Sequence, residues 1–128
     1  MKSKLAWWLA GVICGVALAS GVAAAQRSYG TPTSIIHVVS VQWKAEAAEA
    51  ERQRALEGVK GMAAKIPGIK NVWVKATRVQ PREFNAAFAI EFEDRAAADA
   101  YVEHPAHKEW EGIYLPIREQ SRSLQITN

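Results

Sequence analysis

Cysteine is almost absent from this chain: Cys14 is the only one among 128 residues, and it lies in the apolar N-terminal stretch. A single thiol cannot form a disulfide within the chain, so a small fold held together by disulfides is excluded. Stability must therefore come from burial of a core or from association with a second chain.

Histidine is scarce as well, with three in the sequence. His104 and His107 are spaced so that two ligands could meet, but Pro105 between them interrupts a helix. No Asp or Glu joins them in a chelating motif, and no Cys-rich metal motif exists. We therefore expect no metal and no cofactor.

Long basic runs are also missing. The chain has 16 Lys and Arg against 13 Asp and Glu, a formal net charge of +3. Lys2 and Lys4 lie in the N-terminal segment; without them the balance is 14 against 13, a net charge of +1. No basic stretch is interleaved with aromatic residues, so we expect no nucleic-acid partner.

Residues 1–25 have the pattern of a targeting segment. Two lysines precede the uncharged, mostly apolar run Leu5–Ala19, and three alanines at 23–25 form a small-residue cleavage site. The pattern predicts a signal peptide and a periplasmic or secreted protein that does not stay at the membrane after cleavage. The alternative is a retained membrane anchor, because the uncharged run Leu5–Ala25 is just long enough to span a bilayer.

Residues 26–34 form a polar linker with Gly30 and Pro32 as breakers. The domain proper is predicted at 35–128, a length that allows one domain. A domain of this size buries a limited fraction of its surface, and a second copy is a natural source of further burial.

Alternating and helical periodicities divide this domain into elements. Strands are predicted at Ile35–Trp43, Ile69–Ala76, Phe84–Phe92 and Glu119–Thr127, and helices at Ala45–Lys65, Arg95–Glu103 and from Pro105 to about Tyr114. The order predicts an α+β fold, a ferredoxin-like β-α-β-β-α-β sandwich with an extra short helix and all helices on one face of an antiparallel sheet. Alternation in the third strand places all three phenylalanines on one face.

A sheet with helices on one face leaves its other face uncovered. The candidates for the uncovered face are apolar, and the sequence leaves open which side points inward: Ile36, Val38, Val72, Ala87 and Ala89. An apolar uncovered face favours a homodimer formed through it.

The titratable side chains concentrate where the second and third helices meet. Pro105 ends one helix and suits the first position of the next, which makes His104 its N-cap. His107 then occupies the third helical position, where the positive end of the helix favours the neutral imidazole that a general base requires. Trp110 follows on the same helical face.

Each candidate site residue also has a purely structural interpretation. His104 can be a helix cap, Tyr101 a core aromatic, and His37 a satisfied histidine on an apolar strand face. Trp110 can be a pocket wall or part of the core.

Four segments resemble the stress-responsive dimeric α/β-barrel family, in order and over nearly the whole domain. They are Ile36-His37-Val38-Val39, Ile66-Pro67-Gly68, Glu91-Phe92-Glu93-Asp94, and Tyr101 followed by His104-Pro105-Ala106-His107. The resemblance implies a homodimeric α/β barrel made from two such sheets.

Plant polyketide cyclases with this scaffold use a tyrosine and the second histidine of the same motif as an acid/base pair. The resemblance implies these roles for Tyr101 and His107, with His37 and His104 matching further pocket histidines and Trp110 beside them. It implies a small, apolar, carbonyl-type ligand and a cyclase- or lyase-like reaction. The alternative is a non-catalytic binding or stress-protective dimer in which these residues only build the corner.

Overall fold

The computed structural model describes Gly30 and residues 33–128. The signal peptide predicted at 1–25 and most of the predicted linker lie outside the described residues. Within the described part, no helix combines the length and the apolar character needed to cross a membrane.

The described domain has one four-stranded antiparallel sheet with its helices on one side. In chain order the elements are β1 Ile35–Trp43, α1 Glu49–Ala63, β2 Ile69–Trp73, β3 Ala86–Phe92, α2 Arg95–Tyr101, α3 Pro105–Tyr114, a 3-10 turn Leu115–Ile117, and β4 Arg118–Ile126. The strands are ordered β2-β3-β1-β4. This confirms the predicted α+β, ferredoxin-like fold.

Capping interactions set the ends of the helices. The Glu51 carboxylate accepts from the Ala48 backbone N–H at 2.8 Å, so α1 begins at Glu49, later than predicted. Asp94 accepts from the Ala97 N–H at 2.8 Å and caps α2 as predicted. Gly68, with a φ of 82°, follows α1 in the left-handed conformation that glycine tolerates best.

The core lies between the sheet and the helices. From the sheet it takes the inward residues of β1 and β3, among them Val41, Phe88, Ile90 and Phe92. From α1 it takes a buried stripe centred on Val59. Phe84 departs from the predicted alternation because β3 begins only at Ala86. It is buried, but it lies outside the main core cluster, beneath the Arg122 guanidinium at 4.9 Å.

The helices α1 and α3 approach each other at Gly58. A Cβ at this glycine would lie 2.9 Å from Cδ1 of Trp110, closer than real side chains come. The Trp110 indole N–H donates to the Ala55 carbonyl at 2.8 Å in a buried hydrogen bond across the two helices. The absence of a side chain at Gly58 therefore fixes where Trp110 lies.

The face without helices is apolar at one end and polar at the other, where Ser40 pairs with Arg122 and Gln42 with Gln120, and one of its predicted members needs correction. Ile36 pairs with Ile126 and Val38 with Leu124, and the β4 members of these pairs are more than half exposed. The assignment of Val72 to this face was wrong. Its strand partner is the fully buried Ile90, and partners in an antiparallel ladder share a face, so Val72 packs towards the core. Its neighbour in the chain, Trp73, takes the outward position and is 45% exposed.

Candidate functional site

A cleft of about 220 Å³ opens on the helix-covered side of the sheet, between strands β1 and β4 and the corner of α2 and α3. Its walls include His37, Tyr101, His107, Trp110, Tyr114 and Arg118. The fold thus brings together four of the five site residues predicted from the sequence. His104 is not among the residues that line the cleft.

His104 caps helix α3. Its Nδ1 accepts from the Ala106 backbone N–H at 3.1 Å, and Pro105 occupies the first helical position. The His104 backbone N–H donates to the Tyr101 carbonyl at 3.2 Å, which closes the turn between the two helices. The ring of His104 therefore acts as a helix cap, which is its structural interpretation.

His107 is held by the end of the preceding helix. Its side chain is almost fully buried, and its Nδ1 lies 3.1 Å from the carbonyl oxygen of Val102. A carbonyl can only accept, so this hydrogen bond requires the proton on Nδ1 and leaves the lone pair on Nε2. The Glu111 carboxylate lies 3.9 Å from Nδ1, one helical turn further on.

Tyr101 lies against His107, with ring centroids 4.3 Å apart. Its other neighbour is Phe92 at 5.1 Å, and only 5% of the residue is exposed. Burial raises the pKa of the Tyr101 hydroxyl, and the nearby Glu111 and Tyr114 raise it further. The hydroxyl therefore keeps its proton at neutral pH and can donate it in a hydrogen bond.

His37 reaches the cleft from β1, with its ring 6.2 Å from that of Tyr101. Burial lowers the pKa of His37, and the neighbouring His107 lowers it further, so the ring stays neutral at pH 7. Its Nδ1 is buried without a hydrogen-bond partner in the described part of the chain. The interpretation as a satisfied core histidine does not describe this ring.

A ladder of aromatic rings forms the middle of the cleft. Trp110 stacks on Tyr114 with centroids 4.5 Å apart and 13° between the planes, and it lies 5.9 Å from His107. Phe88 meets Trp110 edge to face at 5.6 Å. Trp110 is thus both a core residue and a pocket wall, and it offers a flat apolar surface beside the titratable groups.

Arg118 and Tyr114 complete the cleft and were missed as site residues. The Arg118 guanidinium lies 5.4 Å from the centroid of the Tyr114 ring, and its Nη1 donates to the Ser121 hydroxyl at 3.2 Å. Arg118 belongs to no motif. Only the return of the last strand beside β1 brings it to the cleft, so no local sequence signal could have identified it.

A larger groove of about 460 Å³ lies elsewhere, between α1 and the segment that joins β2 to β3. Among the described residues, its walls include Arg52, Leu56 and Val74 but no histidine or tyrosine. The rings of His37, Tyr101 and His107 line the smaller cleft instead.

Nothing in the described residues assembles a metal site, because no group of three or more His, Cys, Asp or Glu side chains converges there. His107 faces the cleft, whereas the His104 ring is engaged by the helix cap. The expectation of no metal and no cofactor stays a prediction.

A four-stranded antiparallel sheet with its helices on one face places the domain in the ferredoxin-like α+β fold class. The family model of the stress responsive A/B barrel domain matches residues 35–127, and the chain belongs to that family. This confirms the predicted resemblance. No curated protein matches the chain in sequence at a significant level.

Solved structures share the fold at low sequence identity. A Dabb family protein with a ferredoxin-like fold from Mesorhizobium loti is 23% identical, with 74% of this chain and 96% of that chain covered and a TM-score of 0.64. A dimeric ferredoxin-like protein of unknown function from Jannaschia is 22% identical, with coverage of 74% and 99% and a TM-score of 0.64.

An enzyme also has this fold. The hydroxynitrile lyase from Passiflora edulis is 16% identical, with 76% of this chain and 94% of that chain covered and a TM-score of 0.61. At these identities the likeness shows the fold alone.

Proposed function

We propose that this protein is an exported homodimer that binds a small carbonyl compound in the cleft and moves protons to and from it with His107 and Tyr101. The observation that carries the proposal is the juxtaposition of the two rings, 4.3 Å apart in one cleft, with Nδ1 of His107 occupied by the Val102 carbonyl. That arrangement leaves Nε2 as the basic atom.

The two groups can supply the base and the hydrogen-bond donor that an enolisation requires. Nε2 of His107 takes a proton from the carbon next to the carbonyl. The electron pair of that C–H bond forms a C=C bond, and the π pair of the carbonyl moves onto its oxygen. The Tyr101 hydroxyl donates a hydrogen bond or its proton to that oxygen as negative charge develops there. The raised pKa of Tyr101 keeps the hydroxyl protonated and makes it a weaker acid, which favours donation of a hydrogen bond over full transfer of the proton.

The resulting carbanion equivalent can attack a second carbonyl or eliminate a leaving group, which gives a cyclase- or lyase-like outcome. The Passiflora edulis enzyme, a lyase by name, supports only the point that this fold can carry a catalytic cleft. His37, with a lowered pKa and a free Nδ1 in the described part of the chain, is the candidate for holding the carbonyl end of the ligand.

The homodimer is supported by the apolar face of the sheet. Two apolar pairs join β1 and β4 on this face, Ile36 with Ile126 and Val38 with Leu124. Trp73 is exposed on the same face, at the β2 edge of the sheet. A second copy placed on this face by a two-fold axis would bury it and close the barrel. Similar proteins described as dimeric support self-association.

Export is proposed from the sequence of residues 1–25. The expected mature protein begins at Gln26, which intact-mass measurement on the extracytoplasmic fraction checks. The full-length mass in the membrane fraction would instead indicate a retained anchor.

The alternative function is a non-catalytic binding or stress-protective dimer. The hydrogen bond between Nδ1 of His107 and the Val102 carbonyl favours it, because the bond also gives this histidine a structural role in joining α2 to α3. A protein with this role alone would bind ligands or partners without proton transfer.

Exchange of α-protons for deuterium separates the two functions without knowledge of the natural substrate. Acetophenone is a neutral, enolisable ketone, and NMR in D₂O follows the loss of its methyl signal. We expect the wild type to accelerate exchange and His107→Gln to lower the rate about a hundred- to ten-thousandfold. Glutamine keeps a donor for Val102 but offers no base.

Two further variants serve as comparison and control. Tyr101→Phe keeps the ring and should lower exchange by removing the donor to the oxygen. His104→Asn replaces one good N-cap with another outside the cleft and should leave the rate unchanged. Equal exchange by the wild type and His107→Gln, or none by either, would favour the binding function.

A further inference from the structure

Arg118 supplies a positive charge to the cleft. Within the described part of the chain it is the only Lys or Arg that lines the cleft. Among the described residues Arg118 makes no ion pair, since the six salt bridges there involve other cations. Its Nε is buried and unpaired, although Nη1 donates to Ser121.

A second unpaired polar atom lies beside it. The Tyr114 hydroxyl oxygen is buried and makes no hydrogen bond of normal geometry in the described part of the domain, although Ser121 and Arg118 lie near enough to oppose the rise in its pKa that burial causes. The Arg118 guanidinium lies 5.4 Å from the centroid of the Tyr114 ring. Buried donors without partners cost free energy, and a guanidinium cannot lose its charge to avoid that cost. Two adjacent donors of this kind match a group that carries two acceptor oxygens.

The other charged group of the cleft lies at its opposite end. Glu111 is 3.9 Å from Nδ1 of His107, whereas Arg118 is separated from that histidine by the stacked rings of Trp110 and Tyr114. The carboxylate of a ligand is therefore better placed at the Arg118 end than beside Glu111. The flat rings between them accommodate an apolar, planar body.

We propose that the ligand of this cleft is a small oxo acid, with its carboxylate on Arg118 and Tyr114 and its reacting carbonyl at Tyr101 and His107. The inference rests on the proposed function, which places the carbonyl at the histidine end. A carboxylate fits better than a phosphate, because one guanidinium balances one negative charge. The volume of about 220 Å³ lies just below the range of drug-sized sites and suits a ligand of about one ring.

A pair of probes isolates the carboxylate. 4-Acetylbenzoate carries an enolisable acetyl group and a carboxylate on one ring, and 4-acetylbenzamide is its uncharged counterpart of nearly equal shape. NMR titration of the protein gives both affinities. We expect the wild type to bind the acid about tenfold or more tightly than the amide, the size of one charge-assisted hydrogen-bonded pair.

Variants then assign that preference to Arg118. Arg118→Met keeps the alkyl stem over Tyr114 and should reduce affinity for the acid to that for the amide, with little change for the amide. Arg54→Met removes the same charge from an exposed position on α1 outside the cleft, and it should keep the full preference. Arg118→Lys keeps the charge but loses the planar guanidinium, so its preference for the acid should lie between those of the wild type and Arg118→Met.

A measurement on the wild type makes the test independent of how well the variants fold. The side-chain Nε–H signal of Arg118 should shift in ¹⁵N spectra when the acid is added and should stay in place with the amide. Loss of preference in Arg118→Met together with that shift supports the anion subsite. Preference kept in Arg118→Met, no preference in the wild type, or no binding of either probe overturns the inference.

Failure of the subsite and failure of the proposed function give different results. A protein that prefers the acid through Arg118 but does not exchange the α-protons of acetophenone has the anion subsite without the catalysis. A protein that exchanges acetophenone through His107 but binds acid and amide equally has the catalysis without the subsite.

Discussion

Strand β1 contributes side chains to two surfaces, a ligand cleft on one face of the sheet and a face for self-association on the other. His37 points to the helix-covered face and lines the cleft, whereas its neighbours Ile36 and Val38 point to the face without helices. The covered face is completed by this chain's own helices and contains the cleft at the α2–α3 corner. The open face is partly apolar, and no helix of this chain's described part packs on it. One strand can therefore serve a ligand site on one side and self-association on the other, and substitutions should separate the two.

The largest effect is expected from a charge placed on the open face. Ala87 lies there, paired with Ser40 in β1. Ala87→Glu should weaken the dimer, because association would take the new carboxylate out of water at a cost of several kcal/mol. Light scattering at micromolar concentration should give twice the mature mass for the wild type and the monomer mass for the variant.

The matched control is Ala100→Glu, the same substitution at an exposed position just before the end of α2. It should leave the dimer intact. A wild type that is already a stable monomer, or an Ala87→Glu dimer as tight as the wild type, would contradict the assignment of the open face.

A smaller effect is expected inside the covered face, at the contact between α1 and α3. Gly58→Ala would place a Cβ 2.9 Å from Trp110, whose indole is held by the Ala55 carbonyl, and such overpacking costs about 1–3 kcal/mol. Gly61→Ala, on the same helix with nothing within 4 Å, should instead stabilise the domain by about 0.5–1 kcal/mol through helix propensity. Urea unfolding gives both values, and the same sign for both variants would contradict the close approach.

Loss of the helix cap at the α2–α3 corner should lower stability less than overpacking at Gly58 does. His104→Ala removes the acceptor for the Ala106 N–H and should lower the free energy of unfolding by about 1 kcal/mol. His104→Asn supplies another acceptor and should restore most of it. Equal losses in the two variants would mean that the ring does something besides capping.

The smallest effect is expected in the pH dependence of stability. Burial, with His107 adding to it, lowers the pKa of His37 in the folded state, so below about pH 6.5 the unfolded chain binds this proton more readily than the fold does. The free energy of unfolding should therefore fall as the pH drops through 6.5 towards the folded-state value. His37→Gln should flatten this part of the curve, and an unchanged slope would show that His37 is not the group responsible.

Local chemistry explains which parts of this account could be predicted from the sequence. Asp94 and His104 were identifiable as caps because a cap depends on residues two or three positions away. Strand β1 was predicted with its observed bounds because its alternation is regular. The order of elements and the corner followed from the same short-range signals.

The features that the sequence analysis missed depend on contacts between residues far apart in the sequence. Val72 was assigned to the wrong side because the face of β2 is set by its register with β3. Arg118 reaches the cleft only because β4 pairs with β1. The position of Trp110 depends on a glycine and a carbonyl of another helix. No pattern within one segment encodes these contacts.

The central claim is that His107 presents an unprotonated Nε2 to the cleft while Val102 holds its Nδ1. Long-range ¹H–¹⁵N NMR of the histidine rings, at a pH where His107 is neutral, measures this directly and needs no substrate. The account predicts the tautomer with the proton on Nδ1, as the 3.1 Å contact with the carbonyl requires. A neutral His107 with its proton on Nε2 would leave no base facing the ligand and would contradict the proposed mechanism.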